Sequence, residues 1–452
     1  MRRRKEHPAA AHLVHAFDSP ARIAAEGPRT LVRGSGAYVW DSAGHKYLDA
    51  LSSLWNVSVG HGRREIASAV ATQIRQLAYA PTLLGFSSEP AQQLAARIAR
   101  WTPRGLGHVL FTCGGSESNE SVIRLARLYW KLRGHAQKTG FVALSGAYHG
   151  STTGAASLTG LEKFHRYFEP LMPGVERIPR AHCHGCELGL SFPDCQLACA
   201  DRLERTIERV GAERIAAFIA EPIQGVGGVI IPPAGYFERI REICDRHQIL
   251  MVVDEVITGF GRTGKRFGIQ HWDAVPDMLV FAKGVSSGYI PLGGVVLSDA
   301  LYDTLIDAGE DFALSHGYTY SGHPVACAAG LATLDILDKE KLVGRAARVG
   351  RRMARQLEKL RRHPIVTDVR SIGMMAAIEL SQNQENPADG RPLPASVSPA
   401  ERVRDAVFDR GIIIRASGDV VVMCPPLITA EEDIDRMVSA IDDAVADLTD
   451  RQ

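Results

Sequence analysis

The chain has no apolar run approaching the roughly 20 residues of a membrane-spanning helix. It has no surplus of either charge: 52 Lys and Arg stand against 51 Asp and Glu, a net charge of +1. That balance argues against nucleic acid or an acidic membrane as the main partner. Eight cysteines in 452 residues do not form a secreted disulfide framework. A chain this long buries a large core without one. The opening MRRRKEHPAAAHLVHAF is basic, but no signal-type apolar core follows it. It reads as a solvated leader, and the expected location is cytoplasmic. No internal repeat or coiled-coil heptad stands out.

What is present between about residues 105 and 300 is one event repeated. A short apolar stretch runs into Gly and polar residues: HVLFT into CGGSESNE, GFVALS into GAYHGST, RIAAFIA into EPIQGVGG, ILMVV into DEVITGFG, DMLVFA into KGVSSG. Helical patterns such as SESNESVIRLARLYWKLR and AGYFERIREICDRHQ lie between them. Buried strands joined by helices predict an α/β fold with a mostly parallel sheet covered on both faces. Ligands in such folds bind beyond the carboxyl ends of the strands. That edge collects Gly114, Gly115, Ser116, Tyr148, His149, Glu221, Asp254 and Lys283. The ends of the chain differ. Residues 32–53 read as an antiparallel ribbon, the region after 331 as helices, then strands near MMAAIEL and GIIIRAS, then a helix from about 430. We expect a large domain at 62–330 and a smaller α+β domain built from 1–61 and 331–452. The polar, Pro-rich QNQENPADGRPLPASVSPAE reads as a long surface loop.

Several motifs carry competing readings. Cys183, Cys186, Cys195 and Cys199 form C-x2-C-x8-C-x3-C, with His182 and His184 beside them. Such pairs hold Zn2+ tetrahedrally in other proteins. Here the gap between pairs is short and Pro193 interrupts it, so reduced thiols in a surface excursion stand against a structural zinc. Neither is a catalytic centre, and no metal is assigned. GFGRTGKR contains both G-x4-G-K and G-x-G-x-x-G, but Arg266 stands where a P-loop needs Ser or Thr, and no long amphipathic helix follows. In CGGSESNE the glycines and helix start suit a phosphate. Taken alone, Ser116 with the following Glu residues reads better as a helix cap, and GGSES only partly mimics a nucleophile elbow.

Lys283 sharpens the choice. An amine at the end of a buried strand is paired, neutral or covalently engaged. One reading is a structural ion pair with Asp254. The other is a Schiff-base lysine kept partly neutral by its surroundings. A phosphate cup, the aromatic Tyr148, a buried Asp and a buried Lys on one edge are the parts pyridoxal 5'-phosphate requires. Asp254 then meets the protonated ring nitrogen.

With DEVITGFGRTG matching D-E-x-x-x-G-F-x-R-T-G and FAKGVSSGYIPLGG as the lysine segment, the chain resembles the class III aminotransferases over nearly all its length. These are fold type I pyridoxal-phosphate enzymes, and the subgroup it is most similar to is the omega-transaminases that pass amines to pyruvate. The resemblance implies that Lys283 carries the cofactor and Asp254 binds its ring nitrogen. Val256 and Tyr148 would flank the ring, Gly115 and Ser116 hold the phosphate, and Glu221 lie near the ring hydroxyl. Thr319 in HGYTYSGHP is similar to a threonine that reaches the phosphate of a neighbouring subunit, implying a homodimer, with pairing into tetramers left open. Phe17, Leu54, Trp55, Leu83, Leu84, Tyr148 and Arg415 fall at substrate positions, with Arg415 expected to pair with the carboxylate of pyruvate or alanine. A solvated strand-edge arginine is its plain alternative. TLLGF departs from relatives with two Phe there, and Ser151 replaces an apolar residue of better-known amine transaminases. Other class III reactions (diamine, polyamine, biotin-pathway or decarboxylating) are the alternatives within the fold. A nucleotide-binding P-loop protein and a zinc-dependent interaction module are those outside it.

Overall fold

A computed structural model describes residues 12–381 and 397–450. The ribbon near the amino terminus comprises β1 (Leu31–Ser35), β2 (Tyr38–Asp41) and β3 (Lys46–Asp49). The central strands are β4 (Leu106–Thr112), β5 (Gly140–Leu144), β6 (Val175–Ile178), β7 (Ile215–Ala220), β8 (Leu250–Asp254), β9 (Met278–Phe281) and β10 (Gly293–Ser298). Near the carboxyl end follow β11 (Val366–Ile372), β12 (Met375–Leu380), β13 (Ile412–Ile413), β14 (Arg415–Ser417) and β15 (Val420–Met423).

The central sheet has the order β4-β10-β9-β8-β7-β5-β6. β10 runs antiparallel to β4 and β9, and the other pairings are parallel. β7, β8 and β9 are buried along their whole length, which is why they read as unbroken apolar runs. Their carboxyl ends therefore lie side by side and bring together loops far apart in sequence. β10, wedged between β4 and β9, was not foreseen. It begins with Gly293 opposite Thr112 and Gly294 opposite Phe281. A Cβ on Gly293 would lie 2.9 Å from Thr112 Oγ1 and 3.0 Å from the Phe281 carbonyl oxygen, so only glycine fits beside the site edge.

The amino-terminal ribbon gains its fourth strand from the far end of the chain: β13 pairs parallel with β3, Ile412 opposite Leu48. A third sheet, β11-β12-β15-β14, places Arg415 on an edge strand opposite Val422. The expected final helix is Glu431–Asp450. The surface loop expected at 382–401 falls mainly outside the described residues. Its last residues start the helix Pro399–Asp409, where Ser398 and Glu401 form a capping box. Among the described residues, no helix is long and apolar enough to cross a membrane.

Two motifs resolve here. In GFGRTGKR, Arg262 is 1% exposed and Lys265 is exposed. Arg262 donates to the Pro425 carbonyl at 2.5 Å and to Ser52 and Ser58 Oγ at 3.3 Å. Only the short turn Gly268–His271 follows, so the glycines shape an arginine clamp and not a phosphate cradle. The four clustered cysteines are free thiols. Among the described residues, the group close enough to share a metal is instead His182, Asp368 and Glu379. A cation already serves it: Arg370 Nη1 donates to Asp368 at 2.7 Å and Glu379 at 2.5 Å and lies 3.2 Å from His182 Nε2.

Candidate active site

A cavity of about 320 Å³ opens at the carboxyl edge of the central sheet. Its lining includes Gly115, Ser116, Tyr148, Glu221, Asp254 and Lys283, each contributed by a different strand end except for the neighbouring pair Gly115 and Ser116. Val256 lines it as well. Lys283 lies just beyond β9 with φ +45°, a left-handed conformation that costs a non-glycine residue about 1–3 kcal/mol. Its side chain is reachable from the cavity but otherwise enclosed. Burial draws its amine down to about 8, against the opposing pull of Asp254 and Glu221. Among the described residues it forms no ion pair with Asp254, which removes the structural-pair reading.

Asp254 is held by other donors. Its Oδ2 accepts from Asn119 Nδ2 and lies beside His149 Nδ1, both at 2.8 Å, and its Oδ1 accepts from the Val256 N–H at 3.0 Å. Glu221 accepts from the Tyr148 N–H and the Gly225 N–H, each at 2.9 Å. Its burial pushes the carboxyl up to about 7. Glu221 thus caps backbone at the strand end and also faces the cavity.

The helix Gly115–Leu132 starts at the cavity with Gly114 as its N-cap, and no side chain caps it. Ser116 is therefore not the cap. Its Oγ accepts from the Ser151 N–H at 3.1 Å, while Glu117 takes the Cys113 N–H at 2.8 Å. The first N–H groups of this helix are left for an anion. A Cβ on Gly115 would approach both Val256 methyls at 3.1 Å, so the helix start sits directly against the Val256 wall. Anion donors, a carboxylate and a partly neutral amine in one apolar-walled cavity fit a phosphorylated pyridine aldehyde.

The expected substrate residues divide. Trp55 is buried, with the Lys283 amine 5.6 Å and the Arg415 guanidinium 5.1 Å from its ring centroid. Arg415 is partly buried and desolvation lowers its pKa, so the solvated strand-edge reading does not hold. Phe17 is 77% exposed and approaches the cavity through Phe164, whose ring lies 5.8 Å from Phe17 and 5.0 Å from Tyr148. Leu54 is exposed. Of the expected substrate residues Tyr148 lines this cavity, whereas Phe17, Leu54, Trp55, Leu83, Leu84 and Arg415 do not, and neither does Thr319. Leu84 is 95% exposed, and the Leu83 segment lies against the Thr319 loop, where Tyr79 donates to the Thr319 carbonyl at 2.8 Å and Thr82 to that of Ser321 at 2.9 Å. A single chain therefore does not build the aliphatic wall beside its own Lys283. Asn119, His149 and Phe164 are site members that motif matching did not assign a role. His149 stood at a strand end, whereas Phe164 had no sequence signal.

Comparisons with known proteins show the family. The family described as "Aminotransferase class-III" matches residues 22–445. Putrescine--pyruvate aminotransferase of Pseudomonas aeruginosa is 39% identical over 95% of this chain and 92% of its own. A thermostable (S)-enantioselective omega-transaminase from Thermomicrobium roseum superposes with a TM-score of 0.92 at 42% identity, covering 97% of both chains. An amine transaminase from an uncultivated Pseudomonas species, solved in a PLP-bound form, superposes at 0.90 with 37% identity, over 98% of this chain and 99% of that one.

Proposed function

The chain belongs to the class III aminotransferases, and we propose that it moves the amino group of an amine or omega-amino acid to pyruvate in two half-reactions centred on Lys283. The observation that carries this reading is the enclosed Lys283 amine, drawn down to about 8, in one cavity with Asp254 and an uncapped helix start. The family depends on pyridoxal phosphate. When bound, that group supplies the carbonyl that takes up the amino group and the ring that accepts the electron pair left at the donor carbon.

The chain's own residues do the rest. Gly115 and Ser116 N–H groups and Ser116 Oγ would bind the phosphate. Asp254 would keep the ring nitrogen protonated through a charge-assisted hydrogen bond. Val256 and Tyr148 would flank the ring. Glu221 would orient the groups at the ring hydroxyl. Lys283 Nζ would hold the cofactor covalently, and as a free amine it would act as the general base that takes the proton from the donor carbon. Its lowered pKa keeps a useful fraction of free amine at neutral pH. Arg415 receives the acceptor's carboxylate, and Trp55 shapes the space between Arg415 and Lys283.

A homodimer completes this site in our reading. Thr319 would reach the partner's phosphate, and Leu83 and Leu84 would wall the partner's pocket. The exposure of Leu84 and the packing of its segment on the Thr319 loop support this. Residues 62–330 would form the cofactor domain, with 1–61 and 331–452 as the second; the β3–β13 pairing supports joining the two ends. The test is a donor panel of diamines, omega-amino acids and arylalkylamines with pyruvate. Alanine formed in step with the corresponding carbonyl product supports the reading. No alanine from any donor, but turnover with another oxo acid, shifts the acceptor within the family.

A further inference from the structure

Asn119 and His149 are fully enclosed beside the cavity, and the mechanism above gives them nothing to do. Asn119 stands one turn into the helix Gly115–Leu132 whose start faces the cavity. Its amide uses both hydrogens: Nδ2 donates to the His149 carbonyl at 2.7 Å and to Asp254 Oδ2 at 2.8 Å. His149 Nδ1 lies 2.8 Å from that same oxygen, and the His149 N–H donates to Thr159 Oγ1 at 2.9 Å. A carboxylate has no hydrogen to give, so Nδ1 carries the proton and donates it. His149 Nε2 and Asn119 Oδ1 are buried without hydrogen-bond partners among the described residues. Both side chains are thus turned so that their donor atoms meet Asp254, at the expense of their other polar atoms.

An ionised carboxylate offers about four acceptor positions. Asn119 and His149 fill those on Oδ2, and the Val256 N–H takes one on Oδ1. One position on Oδ1 remains. We propose that His149 and Asn119 are positioning residues that fix the rotation of Asp254, so that its last acceptor position would meet the protonated ring nitrogen of the cofactor. Asn119 also ties that carboxylate to the helix that holds the phosphate, so the two ends of the cofactor are set by one hydrogen-bonded unit. This rests on the cofactor reading above. Outer partners of this kind commonly change affinity or activity by about 10- to 100-fold when removed.

The experiment uses the full chain stripped of cofactor and titrated with pyridoxal phosphate. It reads the dissociation constant, the visible circular dichroism of the bound cofactor, and kcat and KM for an amine with pyruvate. His149→Leu is expected to weaken cofactor binding by about 10- to 100-fold, to change the visible dichroism, and to lower kcat more than it raises KM for the amine. His149→Asn, whose amide N–H stands where Nδ1 does, is expected to restore most of each. Asn119→Ala is expected to shift the same readouts in the same direction as the leucine variant. Thermal unfolding of the cofactor-free proteins checks folding. If the leucine variant does not fold, His149→Asn against Asn119→Ala decides, with the asparagine variant expected nearer wild type in affinity and dichroism. A folded His149→Leu with wild-type affinity and dichroism, or an asparagine variant no better than leucine, overturns the proposal and leaves the function standing. A wild-type chain that binds no cofactor overturns both.

Discussion

Arg415 rests its guanidinium on the ring of Trp55, 5.1 Å from the centroid. An exposed edge strand would let an arginine extend into water. Here the side chain instead turns inward onto an indole, and desolvation lowers its pKa. It is held near Lys283 without a carboxylate partner among the described residues, ready for one carried by substrate. Arg415→Ala is expected to raise KM for pyruvate by about 10- to 100-fold, the loss of one charge-assisted contact. The half-reaction with a carboxylate-free amine should change little. Single-turnover kinetics with each substrate separates the two, and equal losses for both would contradict the role.

Lys283 gives a pH dependence of known sign. Its folded pKa, about 8, lies below the ordinary 10.5. The unfolded chain therefore binds more protons between those values, and cofactor-free protein gains stability from this group as pH rises from about 8 to 10.5. Below pH 8 the full penalty applies, up to about 3 kcal/mol. Lys283→Met is expected to be more stable than wild type at pH 7, with the difference shrinking towards pH 10. Urea unfolding of both cofactor-free proteins across that range checks it.

Gly150 has φ +134°, and a Cβ there would lie 2.5 Å from Ser116 Oγ and 2.9 Å from Ser116 Cα. Gly150→Ala is expected to destabilise by about 1–3 kcal/mol and to weaken phosphate binding by displacing Ser116. Thermal unfolding and cofactor titration measure the two effects. Unchanged affinity would show that Ser116 is not a phosphate ligand.

Leu84 is 95% exposed, and its segment packs on the exposed Thr319 loop, where Tyr79 donates to the Thr319 carbonyl. A charge at the centre of an interface is strongly unfavourable. Leu84→Asp is expected to shift the chain towards monomer in sedimentation and to lose activity in parallel. A monodisperse, active wild-type monomer would contradict the shared site.

The strand ends are legible because β7 runs straight into Glu221, β8 ends at Asp254, and β9 stops one residue short of Lys283. Asp254 and Lys283 fall where an apolar run meets an ionisable group, a contrast that sequence alone displays. β10 was not legible, since GGVVLS resembles its parallel neighbours and nothing local records that it runs antiparallel. Asn119 was hidden inside a helix-start pattern that capping explains equally well, yet the cap proved to be Gly114. Phe164 joins Tyr148 to Phe17 by tertiary contact only. Leu83, Leu84 and Thr319 matched site positions in sequence but do not line the cavity of their own chain.

The most direct test of Lys283 as the cofactor-bearing group is the visible absorption spectrum of the purified chain, recorded before and after excess alanine. The account predicts a yellow band that bleaches to shorter wavelength on adding alanine, in wild type but not in Lys283→Ala. A wild-type chain that stays colourless after incubation with pyridoxal phosphate would contradict it.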